Sequence, residues 1–313
     1  MIPDVLSVGR ISVDLYAQEP NVGFDAQQSF YKSVGGSPTN VAVAVAQLGH
    51  SVLLATKVGE DAFGQYVTSR LEGWGVDTTY VGVEPGAQTP LAFAALTPPE
   101  TPTVVFYRGI QAPDTTLEPT HVPEETVREA RVLWISQGAL AQGSTAETCL
   151  SWMALRSKDQ HTILDLDYRA SLWPGLSEAR SMAKRAIALA TVVVGNAEEY
   201  EVALGTSEPD AAANALLEAG VSLAIIKMGA GGAMLATKDE RVIVAPTPID
   251  VVCGLGAGDA FGGALCHGLL EQLSLDEMGR LANVAGAHVA TQLTCADAMP
   301  TRAELWEMMG EAA

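Results

Sequence analysis

With 313 residues, 48% of them hydrophobic, the chain can bury a large core, and 37 Asp and Glu against 18 Lys and Arg give it a formal net charge of −19. That balance, without any basic run, leaves no counterion-releasing surface and excludes nucleic acid as an expected partner. No uncharged apolar stretch reaches the ~18 residues of a spanning helix, the N-terminus carries Asp4 and no basic leader, and the four cysteines lack CxxC spacing, so a cytoplasmic protein off the membrane is expected.

In chain order, residues 5–8, 52–58, 132–135, 162–166, 191–194 and 223–227 are short, mainly apolar runs rich in Val, Ile and Leu. Runs of this kind suit parallel strands covered on both faces, and stretches such as 39–48 and 64–74 supply the intervening helices. Two segments break the rhythm. Residues 12–34, and 89–108 with its pattern LAFAALTPPETPTVVFYR, read as strands and hairpin turns that could form a small β lid, with Pro98, Pro99 and Pro102 at an exposed tip. No repeat, low-complexity tract or linker interrupts the chain, so one catalytic domain over residues 1–313 with the lid inserted is expected.

Several groups in this frame carry chemistry. Asp14 follows the first strand, where a carboxylate needs partners; a turn or substrate hydroxyls would serve. Gly35 and Gly36 make a tight turn before a helix opened by Thr39 and Asn40, a capped helix or a binding loop. Gly59, Asp61 and Gly64 follow a later strand. Arg108 and Arg169 could each grip a carboxylate in bidentate fashion or pair internally with acids such as Asp165 and Asp167. Asn196 and Glu199, in VVVGNAEEYE, offer oxygen ligands to a hard cation or simply cap a surface helix. Lys227 and Gly229 end another strand.

The most specific run is CGLGAGDAFGGAL, residues 253–265. Gly254, Gly256 and Gly258 at the start of an apolar helix let backbone N–H groups converge on an anion, although a plain strand-to-helix turn uses the same residues. Asp259 sets a carboxylate beside that anion, as a base or an N-cap. Neither GK[ST] nor an HRD and DFG pair is present. A dinucleotide fingerprint is disfavoured because residues 259–292 read as helix, turn, helix, which leaves Asp276 off any strand end.

The runs VGGSPTN, VGEDAFGQ and GAGD, in this order and separation, resemble the ribokinase-type carbohydrate kinases of the PfkB family, and the resemblance covers essentially the whole chain. It implies an α/β, ribokinase-like three-layer sandwich with a mostly parallel central sheet and a small β lid, catalysing ATP-dependent phosphorylation of a sugar hydroxyl. By the same resemblance Asp259 is the base, and the amides of Gly256, Ala257 and Gly258 stabilise the transferring phosphoryl group. Asp14, Gly35, Gly36 and Asn40 lie at the sugar. Lys227, Gly229, Gly256, Gly258 and Asn283 lie at ATP, with Ala287 and His288 near adenine, and Asn196 and Glu199 hold Mg2+. With Arg108 and Arg169 on substrate, the sugar is acidic, and the DxDxRxxLW run starting at Asp165 looks like that of ketodeoxyaldonate kinases. A neutral-sugar kinase of the fructokinase or ribokinase type stays open, as does a non-catalytic sugar or nucleotide sensor, against which the presence of Asp259 argues. Where most of the family has Asp-Thr before GAGD, this chain has Cys253 and Gly254, so weak or no K+ dependence is expected. The apolar lid strand 91–96 suits a homodimer contact.

Overall fold

The computed structural model describes residues 2–19 and 21–310. In chain order its strands are β1 (Val5–Val8), β2 (Ser12–Ala17), β3 (Phe30–Gly35), β4 (Val52–Gly59), β5 (Val81–Glu84), β6 (Leu91–Ala95), β7 (Thr103–Tyr107), β8 (Val132–Ser136), β9 (His161–Asp165), β10 (Val192–Asn196), β11 (Leu223–Lys227), β12 (Ala233–Ala236) and β13 (Arg241–Val244). The α-helices are α1 (Ser37–Gln47), α2 (Ala62–Gly73), α3 (Glu124–Glu129), α4 (Gly143–Ala154), α5 (Leu176–Ile187), α6 (Ala197–Leu204), α7 (Pro209–Glu218), α8 (Ala257–Leu270), α9 (Leu275–Ala290) and α10 (Arg302–Met308).

Nine strands form the main sheet in the order β13-β12-β11-β10-β9-β8-β1-β4-β5. From β5 to β11 every neighbouring pair is parallel; β12 and β13 continue the edge antiparallel. The period-2 geometry of a strand divides its side chains between two cores. Val132 and Trp134 enter the one beneath α1, α2, α8 and α9, whereas Leu133 and Ile135 enter the one beneath α4 to α7. Both faces are thereby covered, which is why these strands are mainly apolar on both faces rather than alternating.

Chain order reverses at β1, which has β4 on one side and β8 on the other. In open parallel sheets such a reversal opens a crevice beyond the carboxyl ends of the strands. Arg10 follows β1, Asp165 ends β9, Asn196 ends β10 and Lys227 ends β11, so these polar groups all gather at that rim.

Two helices aim their N-termini at the rim. Helix α8 is buried almost all round, and its glycines allow close approach: a Cβ on Gly262 would come within 2.5 Å of the Trp134 ring, and one on Gly263 would overlap Ala44 Cβ on α1. Helix α1 starts after Gly36, whose φ of +99° and closeness to the Arg10 carbonyl admit no side chain readily. Its first turn is tied back by Thr39 Oγ1 donating to the Arg10 carbonyl at 3.0 Å and Ser7 Oγ donating to that of Pro38 at 2.6 Å.

A second sheet, β3-β2-β6-β7, crosses above the rim. Its β2–β3 and β6–β7 pairs are antiparallel, and β2 and β6 run parallel. Asp14, Ala92, Val104 and Phe106 point from its inner face toward the crevice. The run at Gly59, Asp61 and Gly64 anchors its base: Asp61 caps α2 through Gly64 N–H at 2.8 Å and accepts from the backbone and hydroxyl of Thr89, also at 2.8 Å. No helix among the described residues is long and apolar enough to cross a membrane, and all four cysteines are free and buried.

Candidate active site

Two clefts meet at the loop before α8. The larger, about 680 Å³, runs along Gly254, Ala257 and Gly258, with Lys227, Gly229 and Asn283 on its walls and an apolar strip from Pro246 to Val251. The smaller, about 370 Å³, lies under the lid and is lined by Arg10, Asp14, Gly36, Asn40, Arg169, Gly256 and Asp259. The loop carrying Gly256 to Asp259 is their common wall. Gly256 has φ +80°, a Cβ there would sit 2.5 Å from Cys295 Sγ, and Asp259 N–H closes the first turn on the Gly256 carbonyl at 3.0 Å. The first amides of α8 thus face the junction without intrahelical partners, at the positive end of the helix dipole.

Asp259 stands where the clefts join. Asn40 Nδ2 donates to its Oδ2 at 2.8 Å. Burial, and next the charge of Asp167, push its pKa up to about 6, against which the hydrogen bonds of Asn40 and Ser37 and the charge of Arg169 act. It is ionised at neutral pH and basic enough to take a proton, the tuning expected of a general base.

Behind it lies an alternation of charge at the strand ends. Arg10 pairs with Asp167, and Arg169 Nη2 approaches the other oxygen of Asp167 at 3.1 Å. Burial would raise the pKa of Asp167, but these two guanidinium groups hold it below the ordinary value. Asp165 is raised, first by burial and then by Asp167, Glu199 and Asp259, with Lys227 acting the other way. It accepts from Ser37 Oγ at 3.3 Å, while its Oδ1 is buried without a partner. Lys227 Nζ lies 3.9 Å from both Asp165 Oδ1 and Glu199 Oε2. Burial lowers the pKa of Lys227, yet the surrounding carboxylates outweigh it and the net shift is upward, so the ammonium stays charged at the mouth of the larger cleft.

The other residues singled out in the sequence divide between the cleft walls and the surrounding scaffold, and Arg108 departs from its expected place. Arg108 is absent from both cleft linings. Its Nη2 lies 2.5 Å from Asp114 Oδ1, and the other oxygen of Asp114 accepts Ile11 N–H at 3.2 Å, so the arginine neutralises a buried carboxylate instead of facing a ligand. Gly35 leaves room: a Cβ there would overlap the Asp14 carboxyl. Asp14 itself turns into the smaller cleft, held by Ser12 Oγ at 2.7 Å and Tyr16 Oη at 3.2 Å. Asn196 and Glu199 form a reciprocal capping box on α6, with Glu199 N–H to Asn196 Oδ1 at 3.0 Å and Asn196 N–H to Glu199 Oε2 at 2.7 Å. Asn283 donates to the Ala245 carbonyl at 2.9 Å beside Ala287 on the cleft wall, and His288 lies off that wall.

The sequence reading overlooks Arg10, Ser37, Phe106, Cys295 and the strip at residues 246–251. For Arg10 a signal exists: a charge directly after a wholly buried strand requires a partner. The strip carries no comparable mark. The lid tip closes over the junction, where Gly254 N–H donates to the Pro99 carbonyl at 2.8 Å and Glu100 joins the wall of the larger cleft.

Residues 3–302 match the family model described as pfkB family carbohydrate kinase. The chain is 31% identical over 318 residues to 5-dehydro-2-deoxygluconokinase 2 of Bacillus cereus, covering 98% of this chain and 94% of that protein. It is equally similar, 31% with the same coverage, to a 5-dehydro-2-deoxygluconokinase of Bacillus anthracis. Among solved structures it superposes on a PfkB protein from Polaromonas sp. JS666 with a TM-score of 0.85 and 26% identity, over 97% of this chain and 99% of the other. A fructokinase from Vibrio cholerae O395, with fructose, ADP and potassium ion bound, gives 0.86 and 26%, over 98% of each chain.

Proposed function

We propose, from the premise that the chain belongs to the pfkB family of carbohydrate kinases and is an ATP-dependent sugar kinase, that it phosphorylates an acidic deoxy keto sugar, 5-dehydro-2-deoxygluconate, at its 6-hydroxyl. The observation that carries this reading is the position of Asp259, on the wall shared by an under-lid cleft and a nucleotide-sized cleft, with a pKa near 6. The 31% identity to proteins named 5-dehydro-2-deoxygluconokinase supports the substrate, and a role in inositol catabolism would follow from it.

The sugar lies under the lid, its hydroxyls on Asp14 and Asn40 and its carboxylate on Arg169, whose half-exposed guanidinium keeps donors beyond the one facing Asp167. Val104 and Phe106 give an apolar surface suited to a deoxygenated carbon. ATP lies in the larger cleft with its γ-phosphate at the Gly256–Gly258 amides and Lys227 beside the phosphate chain. Asp259 takes the proton of the attacking hydroxyl, Asn40 fixes the carboxylate, and the α8 amides and dipole stabilise charge on the phosphoryl group in flight. The closed lid excludes water, which protects the γ-phosphate from hydrolysis.

ATP and a divalent metal belong to this chemistry, and we assign the metal as Mg2+, which when bound neutralises phosphate charge. Asn196, Glu199 and the unpartnered Oδ1 of Asp165 supply hard oxygen donors that fit such an ion, directly or through water. Weak or absent K+ dependence follows from Cys253 and Gly254 standing where most of the family has Asp-Thr. The outer lid face supports a homodimer: Phe93 stacks edge to face with Phe30 at 5.4 Å and Tyr107 at 5.5 Å, and Tyr107 is 61% exposed.

ADP release from Mg-ATP measured across 5-dehydro-2-deoxygluconate, 2-keto-3-deoxygluconate, fructose, ribose and adenosine tests the substrate, with Asp259→Asn as blank. Preference for the first supports it. Preference for the second keeps the acidic-sugar argument and changes the substrate. Turnover of neutral sugars alone refutes the carboxylate contact, and silence throughout favours a sensor.

A further inference from the structure

At the end of α8 remote from Asp259, His267 and Glu271 stand one helical turn apart, and His50 approaches them from the turn after α1. His50 Nε2 lies 2.7 Å from His267 Nδ1 and 4.0 Å from Glu271 Oε1, and the three donor atoms fall within 4.8 Å of one another. His267 is fully buried, its Nε2 has no hydrogen-bond partner among the described residues, and its ring meets Trp306 edge to face at 5.3 Å. Eight residues of helix, about 12 Å, separate it from Asp259, so phosphoryl transfer gives this cluster no task.

We propose that His50, His267 and Glu271 form a binding site for a divalent transition-metal ion of the Zn2+ class. Two imidazole nitrogens and one carboxylate oxygen are a donor set zinc accepts in open sites, with water completing the tetrahedron. Tetrahedral ligands about 2.0–2.1 Å from zinc sit roughly 3.3 Å apart. The two rings therefore separate by about half an ångström, and the part-exposed Glu271 carboxylate swings inward. Ligation uses the neutral form of both rings, with one nitrogen of each facing the shared point. Around them Asp4 and Glu271 favour a cation, whereas Arg131 and Arg302 oppose it. The ion replaces the proton shared between the rings; the donor ring carries its N–H on the other nitrogen, and no proton is released. An ion held there staples the C-terminal ends of α1 and α8, whose N-terminal ends hold Asn40 against Asp259.

The test takes the full-length protein, stripped with a chelator, and titrates ZnCl2 against a chromophoric zinc indicator, with CoCl2 absorption spectra on the same samples. The expected result is one Zn2+ per wild-type chain at micromolar affinity or tighter and the intense visible bands of tetrahedral Co2+. Glu271→Gln should weaken binding by at least about tenfold, and His50→Asn should abolish it, with zinc-free kinase activity unchanged in both. Equal uptake by wild type and variants, or none by wild type, overturns the proposal. His50→Asn is read once circular dichroism shows it folded; Glu271→Gln, at a part-exposed position, decides the matter if it is not.

Discussion

Asp259→Asn separates the chemistry from the architecture, because the amide oxygen can still accept from Asn40 Nδ2 at the same 2.8 Å. Losing the base should lower kcat by about 10²–10⁴ with ATP affinity kept. The same change should stabilise the protein at alkaline pH. The carboxyl pKa rises from 3.8 to about 6 on folding, and a raised carboxylate pKa means that folding disfavours the charged form. Its contribution is complete below the unfolded value near 4 and is lost as pH rises through about 6. A shift of about two units corresponds to at most about 3 kcal/mol, and because the group faces an open cleft we expect about 1–2 kcal/mol. Thermal melts of wild type and Asp259→Asn at pH 5 and pH 8 measure this: the variant should gain on wild type between the two, while wild-type kcat/KM falls about tenfold per unit below pH 6. Turnover of the variant within about tenfold of wild type, or a melting difference indifferent to pH, would refute the reasoning.

The two arginines should part company. Arg169→Ala should raise KM for the acidic sugar at least about tenfold and leave KM for ATP nearly unchanged; equal effects on both would make its role structural. Arg108→Ala should spare both constants and destabilise by about 3 kcal/mol, since it strands the Asp114 carboxylate without its cation, and urea unfolding would reveal a smaller loss as an error in this assignment. Replacing an inert organic cation by K+ at constant ionic strength should leave the rate almost unchanged; a severalfold gain would show that Cys253 and Gly254 do not disrupt a cation site. Tyr107→Glu, on the outer lid face, should shift sedimentation from dimer to monomer, whereas a wild type already monomeric removes the lid contact altogether.

Six strands of the main sheet are readable because burial on both faces forces a mainly apolar run, a demand the sequence has to display. The lid is readable for the opposite reason, its inner and outer faces differing in solvent. β5 and the β12–β13 hairpin escape notice: each strand has four residues, too few to show a period, and β5 and β13 lie partly exposed at the sheet edges. The glycines, Asn40 and Asp259 are legible as motif residues because close approach and capping constrain residue type, whereas the hydrogen bond that joins Asn40 to Asp259 is made only by the fold. Arg108 misleads because a charge at a strand end says nothing about its direction, and its partner Asp114 lies only six residues further along a loop. Arg10 goes unseen because its partner Asp167 is 157 residues distant, a proximity created only by the strand order.

The hydrogen bond from Gly254 to Pro99 gives the turn between two lid strands a direct hold on the loop we assign to phosphate, where a Cβ on Gly254 would overlap the Glu100 carbonyl. One backbone hydrogen bond thus joins the walls of the two clefts. A sugar that draws the lid down completes part of the ATP wall, and by reciprocity ATP must tighten sugar binding by the same factor. If that hydrogen bond has to break before products leave, the opening step caps turnover however fast phosphoryl transfer itself is.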